Sequence, residues 1–225
     1  MFSIDRSIIS PLNHPASTSG LTTPVSRTRS ITDDIVLDRA IAVFWQRGYA
    51  ATSLRDLTRA TGLGTAALYH RFTDKDGLFI EVLRRYADKG LSERLARLSA
   101  SHAPLAAIEA FFDELVAMSA EDPDQRGCLL VNTALDGASM SAAARSLVRA
   151  RLDEVETFFR AQLHRAREDG LIGAAIDAAA MAETLLGAVL AVRVLARLDP
   201  DPDRLRRLVA HTLSPLFPTQ NRLTQ

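Results

Sequence analysis

Between Ala51 and Phe79 the chain stops and restarts a helical pattern three times, and this punctuation constrains the fold more than any other feature. Ser53 and Asp56 have the S-x-x-D spacing of a capping box ahead of Leu54 and Leu57, and Gly62 closes that segment. Gly64 precedes Thr65 to Phe72, where Leu68 and Phe72 share one side and Thr65, Tyr69 and His70 face elsewhere. Thr73 and Asp76 repeat the box spacing and open a longer helix, Asp74 to Leu98, through Leu78, Phe79, Val82, Leu83 and Tyr86. Helices of two turns do not persist alone in water. Neighbours must hold them, and the free side of the second is what the arrangement presents.

The flanking sequence supplies those neighbours. Thr32 can cap a first helix, Asp33 and Asp34 suit its first turn, and Ile35, Ala40, Val43 and Phe44 recur at helical spacing until Gly48. Further on, Pro104 opens a segment through Ile108, Phe111, Phe112, Leu115 and Met118, and Cys128 to Leu135 is a short apolar helix. Ser141 to Arg167 is long and charged on one side, Asp177 to Leu198 is apolar, and Asp203 to Leu213 is a last short helix. The expected class is all-α, with about nine helices and no convincing strand. Residues 1–31, rich in Ser, Thr and Pro, read as a flexible tail, with Arg27 and Arg29 available for solubility or a phosphate. The expected units are 32–80 and 81–225.

Composition excludes several function classes. The single cysteine, Cys128, permits no intrachain disulfide and no cysteine-based zinc cluster, and fits a reducing compartment, so a cytoplasmic protein without metal or cofactor is expected. No signal peptide is legible, and Glu183 and Arg193 interrupt the most apolar stretch, which argues against a membrane span. The histidines are scattered, and neither HExxH nor GxSxG occurs, so no catalytic constellation can be nominated. The net charge of zero hides an asymmetry: residues 1–90 hold 12 Arg and Lys against 9 Asp and Glu, and the remainder is acidic by the same margin.

Two short helices around a glycine-containing turn are what a helix-turn-helix needs, one bracing and one entering the major groove by its N-terminal end. Residues 33–86, above all SLRDLTRATGLGTAALYHRFTDKDGLF, resemble the DNA-binding domain of the TetR family of bacterial transcriptional repressors. Phe44, Gly48, Tyr49, Thr52, Leu57, Ala60, Gly62, Leu68, Tyr69, Phe72, Lys75 and Leu78 all fall in the family's register. The stretch RGCLLVNTALDGA, Arg126 to Ala138, more loosely resembles a segment of that family's C-terminal domain. The resemblance implies a homodimer on a palindromic DNA operator, released by a small-molecule effector bound in a helical C-terminal domain. An activator, or a ligand-independent DNA-binding regulator of the same fold, is the alternative.

On that resemblance Thr65 and Ala66 reach base edges. Gly64 and Thr65 depart from the Ser and the Lys or Arg common there, and a threonine reads bases less selectively than a bidentate arginine. Tyr69 can donate its hydroxyl to a phosphate, and His70 can do the same or remain an ordinary surface residue. Lys75 opposes the dipole of the helix it opens unless an anion lies outside. Thr52 is a phosphate donor by the same helix-end geometry, and Arg55 or Arg71 adds charge. Candidate effector-lining residues are Phe111, Phe112, Leu115, Met118, Cys128, Asn132, Glu183 and Leu186, each of which equally suits plain core. A helix N-terminus favours the thiolate of Cys128, whereas its apolar neighbours favour an inert buried thiol, so thiol sensing stays open. The last two long helices are the expected dimer interface through Leu185, Val189, Val192, Leu195, Leu205 and Leu208, with Arg193, Arg197 and Arg204 at the rim.

Overall fold

The first helix bends at a glycine. In the computed structural model, which describes residues 31–122, 124–137 and 140–217, α1 spans Asp33–Ala51, but Gly48 sits at φ 74° and ψ 170° and interrupts it. The expected N-terminal tail, with Arg27 and Arg29, lies outside the described residues. Nine further α-helices follow: α2 (Leu54–Thr61), α3 (Thr65–Phe72), α4 (Lys75–Ala87), α5 (Glu93–Ser101), α6 (Pro104–Ala120), α7 (Leu129–Leu135), α8 (Ala142–Glu168), α9 (Ala178–Leu198) and α10 (Pro202–Leu213). The described residues contain no strand. The single helix expected from Asp74 to Leu98 is α4 and α5 run together through a π-helical turn, Asp88–Ser92.

Caps set most boundaries. Ser53 accepts from the Asp56 backbone N–H while the Asp56 carboxylate accepts from the Ser53 N–H, a complete capping box worth about 1 kcal/mol. Ser141 caps α8, Asp177 caps α9 and Asp201 caps α10. At α4 the cap is Asp74, whose side chain accepts from the Gly77 N–H at 2.8 Å. The box expected at Thr73 and Asp76 does not form, because Thr73 is turned to φ 69° to bring the chain round the corner from α3.

Two hydrophobic clusters organise the packing. One surrounds Phe44, Leu57, Leu68 and Phe79 and continues through Leu83 and Ala87 to Leu129, Leu130, Ala144 and Val148, so α7 and the start of α8 support the N-terminal helices. The other holds the rings of Phe111, Phe112, Phe158 and Phe159, with centroids 5.0 Å apart for Phe111 and Phe159 and 5.6 Å for Phe112 and Phe159. Burying each such ring contributes about 2–3 kcal/mol. The helix α9 is long and apolar enough to cross a membrane by length and composition, yet it packs here against α6, α8 and α10.

Several expected site residues belong to these cores. Phe111, Phe112 and Leu115 are almost wholly buried and fill one another's space, while Glu183 is exposed and lines nothing inside the chain. Leu186 is half-buried against the second cluster. The expected dimer contacts Leu185, Val192 and Leu205 are fully enclosed, and Val189 nearly so. Their side chains are spent on their own chain; of that set only Leu195 and Leu208 keep part of their surface. A helix apolar on most sides hides which side faces in, and α9 turns this stripe toward α6 and α8.

Candidate nucleic-acid interface

The geometry of α2 and α3 is fixed from behind. The left-handed Gly62, φ 75° and ψ 9°, ends α2. The Thr61 hydroxyl donates to the Leu57 carbonyl at 2.7 Å and accepts from the Leu63 N–H, and Arg39 of α1 donates to the Thr61 carbonyl at 3.0 Å. Leu68 and Phe72 point inward, 1% and 8% exposed. Arg71 donates to the Ile31 carbonyl at 2.8 Å and to Asp33, so it braces α3 against the start of α1 and does not supply the free charge expected of it.

The corner into α4 is tighter still. A Cβ on Gly77 would lie 2.2 Å from the Phe72 carbonyl oxygen, which is backbone and cannot swing aside. The γ-turn at Thr73, closed by the Asp74 N–H on the Phe72 carbonyl at 2.8 Å, and the missing Cβ at Gly77 together bring the end of α3 against the start of α4.

On the outer side of α3, Thr65, Ala66, Tyr69 and His70 are exposed, as is Arg55 on α2. Gly64 offers no side-chain cap, yet its carbonyl accepts from Leu68 at 3.0 Å and the helix starts normally. Lys75 places its ammonium 4.4 Å from the centroid of the Tyr49 ring. Partial burial there pulls its pKa below the ordinary lysine value. An ammonium short of water in this way gains from an approaching anion.

Thr52 departs from its expected role. It is 1% exposed and its hydroxyl donates to the Gly48 carbonyl at 2.6 Å. The kink at Gly48 breaks the helical ladder and frees that carbonyl, and Thr52 satisfies it. Its hydroxyl is therefore not presented to a phosphate.

The effector candidates separate. Asn132 bonds the Arg126 carbonyl and Arg197, and lines a cavity of about 120 Å³ where α1 meets α7, away from the phenylalanines. Met118 lies against Arg94, and the Cys128 sulfur accepts from the Tyr86 hydroxyl at 3.8 Å at the start of α7. Two charged groups in this region sit otherwise than the sequence reading had them: Arg94, which it did not single out, and Arg193, which it placed at a dimer rim. Arg94 is 4% exposed, and Arg193 donates to Ser119 at 3.2 Å. The signal for Arg94 was its place three residues after Leu91 and four before Leu98, on the apolar stripe of α5.

Comparison with known proteins meets this geometry from two sides. Residues 36–82 match the model for bacterial regulatory proteins of the tetR family, and residues 104–212 match that for a tetracyclin repressor-like C-terminal domain. The HTH-type transcriptional repressor ComR of Escherichia coli strain K12 is 29% identical over 181 residues, 80% of this chain and 86% of that protein. The HTH-type transcriptional activator FasR of Mycolicibacterium smegmatis is 28% identical over 156 residues, 64% of this chain and 68% of its own. Among solved structures, the TetR family regulator CifR, as a cysteine mutant complexed with 26 bp double-strand operator DNA, superposes with a TM-score of 0.75 at 32% identity. The match covers 83% of this chain and 98% of that one. A clamped helix-turn-helix on a helical bundle, matched in both halves by sequence and nearly end to end by shape, makes the chain a DNA-binding transcriptional regulator belonging to the TetR family.

Proposed function

We propose that the protein is a cytoplasmic repressor that binds a palindromic operator as a homodimer and leaves it when a small organic molecule enters the C-terminal bundle. The observation that carries this reading is the exposed outer face of α3, held from behind by Leu68, Phe72 and Arg71 and joined to the bundle through the continuous α4 and α5. Thr65 and Ala66 read base edges, while Tyr69, His70, Lys75 and Arg55 meet phosphates. Two such heads must stand about 34 Å apart to enter successive major grooves.

The dimer forms through the other side of α9. Ala180, Thr184, Gly187, Ala191, Val194 and Leu198 recur at alternating spacings of four and three, exposed or half-buried, with Leu198 77% exposed. That is the spacing of a helix seam, and its small residues allow close approach. Leu195 and Leu208 flank it.

The test is to select a duplex from a random library with the purified protein, then measure affinity and stoichiometry. A palindromic duplex taking two chains is expected. Failure to enrich any duplex defeats the reading. Val194→Asp is expected to give a folded monomer by sedimentation, whereas Val192→Asp unfolds; an intact V194D dimer rejects the seam. Because the FasR relative is an activator, the sign of regulation is read by transcription from a promoter carrying the selected site, with repression expected.

A further inference from the structure

Three guanidinium groups among the described residues have a buried Nε without a hydrogen-bond acceptor: those of Arg94, Arg151 and Arg167. Two of them are satisfied elsewhere. Arg151 pairs with Asp88 and Glu154, and Arg167 donates to the Ile176 carbonyl. Arg94 has no oxygen acceptor among the described residues; its Nη1 reaches only the Met118 sulfur, at 3.8 Å, and its guanidinium carbon lies 4.3 Å from the centre of the Phe111 ring. Glu114, the carboxylate whose field reaches Arg94, is bonded through both oxygens to Arg97 at 2.7 Å.

A second cation makes this worse for the empty protein. Arg193, from α9, lies close enough for its charge to act on Arg94, and its own hydrogen bond goes to the neutral Ser119 hydroxyl. Burial, and then the Arg193 charge, push the Arg94 pKa down to about 10, far below the ordinary arginine value. A buried charge is normally paired or absent. Here two arginines from α5 and α9 converge on the region of the aromatic cluster, and among the described residues neither has a carboxylate hydrogen-bonded to it.

We infer that the missing partner is the effector: a small organic acid whose anionic group lies between Arg94 and Arg193 and whose apolar body lies along Phe111 and Met118. This rests on the ligand-responsive reading above and narrows it to a chemical class. The planar guanidinium fork suits a carboxylate, sulfonate or phosphate alike, so the shared chemistry is a compact oxyanion on an apolar body. Binding relieves the uncompensated charge, and so favours whichever arrangement of α5, α6 and α9 closes on the anion. Since α5 is continuous with α4 and the DNA-reading head, that preference is transmitted as a change in head placement.

The experiment uses the full chain, with thermal unfolding as readout and four probes sharing a benzyl group: phenylacetate, phenylmethanesulfonate, benzyl phosphate and benzyl alcohol. At least one anion is expected to raise the wild-type melting temperature in a saturable way, while the neutral alcohol does not, and the three acids identify which oxyanion fits. Arg94→Met, which keeps the volume and removes the charge, is expected to melt at or above the wild type without probe and to bind the anion roughly tenfold more weakly or worse. Arg193→Met should weaken the same response and serves should R94M fail to fold. The proposal is overturned if no anion stabilises the wild type, if the alcohol acts as strongly, if folded R94M responds like the wild type, or if R94M folds but melts lower. It is equally overturned if R94M does not fold and R193M responds like the wild type. Binding to the selected duplex is measured in the same wild-type samples. If that binding is present but no anion acts, the inference fails alone; if no duplex binds, the regulator reading fails with it.

Discussion

The DNA-reading head and the C-terminal bundle treat charge in opposite ways. In the head, several cations outside the proposed reading face are tied down at the surface: Arg71 to Asp33, Arg85 to Asp34 and Asp38, Arg47 to Asp56. Apart from the hydrogen-bonded hydroxyls of Thr52 and Thr61 its interior is apolar, and its constraint is geometric, concentrated in the corner at Thr73 and Gly77. The bundle has a larger aromatic core, yet it admits Arg94 into that core without a carboxylate hydrogen-bonded to it among the described residues. A head that reads a rigid duplex needs a fixed outline and a paired exterior. The bundle instead takes a charged side chain, Arg94, into its interior.

The largest test of this contrast lies in the bundle core. Phe159→Ala removes a fully buried ring that contacts three other phenylalanines and is expected to cost about 4 kcal/mol in denaturant unfolding. R94M, a few residues away in the same core, should cost nothing. Equal losses would mean that Arg94 is packing like its neighbours. Next comes the corner of the head. Gly77→Ala forces a backbone shift and is expected to cost about 2–3 kcal/mol and to weaken duplex binding, whereas unchanged melting and affinity would show the corner to be slack.

At the reading face the effects are smaller and concern DNA alone. Lys75→Ala should weaken binding to all duplexes and reduce the salt slope by about 1, read by titration at several ionic strengths, with no change in melting. Thr65→Ala should change base preference more than affinity, which repeating the selection with that variant would show.

The smallest effect is at the head's paired exterior. The Arg85 guanidinium beside Asp38 holds that carboxyl below its ordinary pKa of 3.8. A depressed pKa contributes stability above the unfolded value that is lost as pH falls through the folded one. Asp38→Asn should therefore melt slightly below the wild type at neutral pH, with the gap closing as the solution is taken below about pH 3.8. A gap that persists in acid would mean that shape, not charge, matters at this pair.

Much of the fold was legible because its boundaries are made by local chemistry. Ser53 with Asp56, Ser141 and Asp177 each act on backbone groups two or three residues away, and such contacts can be read along a line of text. The exposed face of α3 was legible for the same reason: in a two-turn helix, Leu68 and Phe72 leave only one side free. What escaped depends on distant partners. Thr52 looked like a free helix-end donor until the kink at Gly48 gave its hydroxyl a carbonyl. The inner and outer stripes of α9 are both apolar, so only packing against α6, α8 and α10 assigns Leu185 and Val192 to the inside and Val194 and Leu198 to the outside. Arg94 broke an apolar stripe, a visible anomaly, but nothing local distinguishes an arginine that enters a core from one that curls out of it.

The π-helical turn between α4 and α5 adds a matter of phase. Inward residues run Phe79, Val82, Leu83 and Ala87 on one side of the turn and Arg94, Leu95 and Leu98 on the other. An α-helix advances about 100° per residue, so continuing the first set without interruption would aim residues 93, 94 and 97 at the core. The turn adds one residue to the count and brings Leu95 and Leu98 inward beside Arg94, in place of Glu93 and Arg97. Deleting Gly90, which is exposed and meets nothing within 4 Å, would cost no packing of its own and let α4 run into α5 as a regular α-helix with the same residues facing inward. Along this stretch the chain counts like a gear: the π-helical turn takes up one residue, and the inward faces of α4 and α5 stay in register across it.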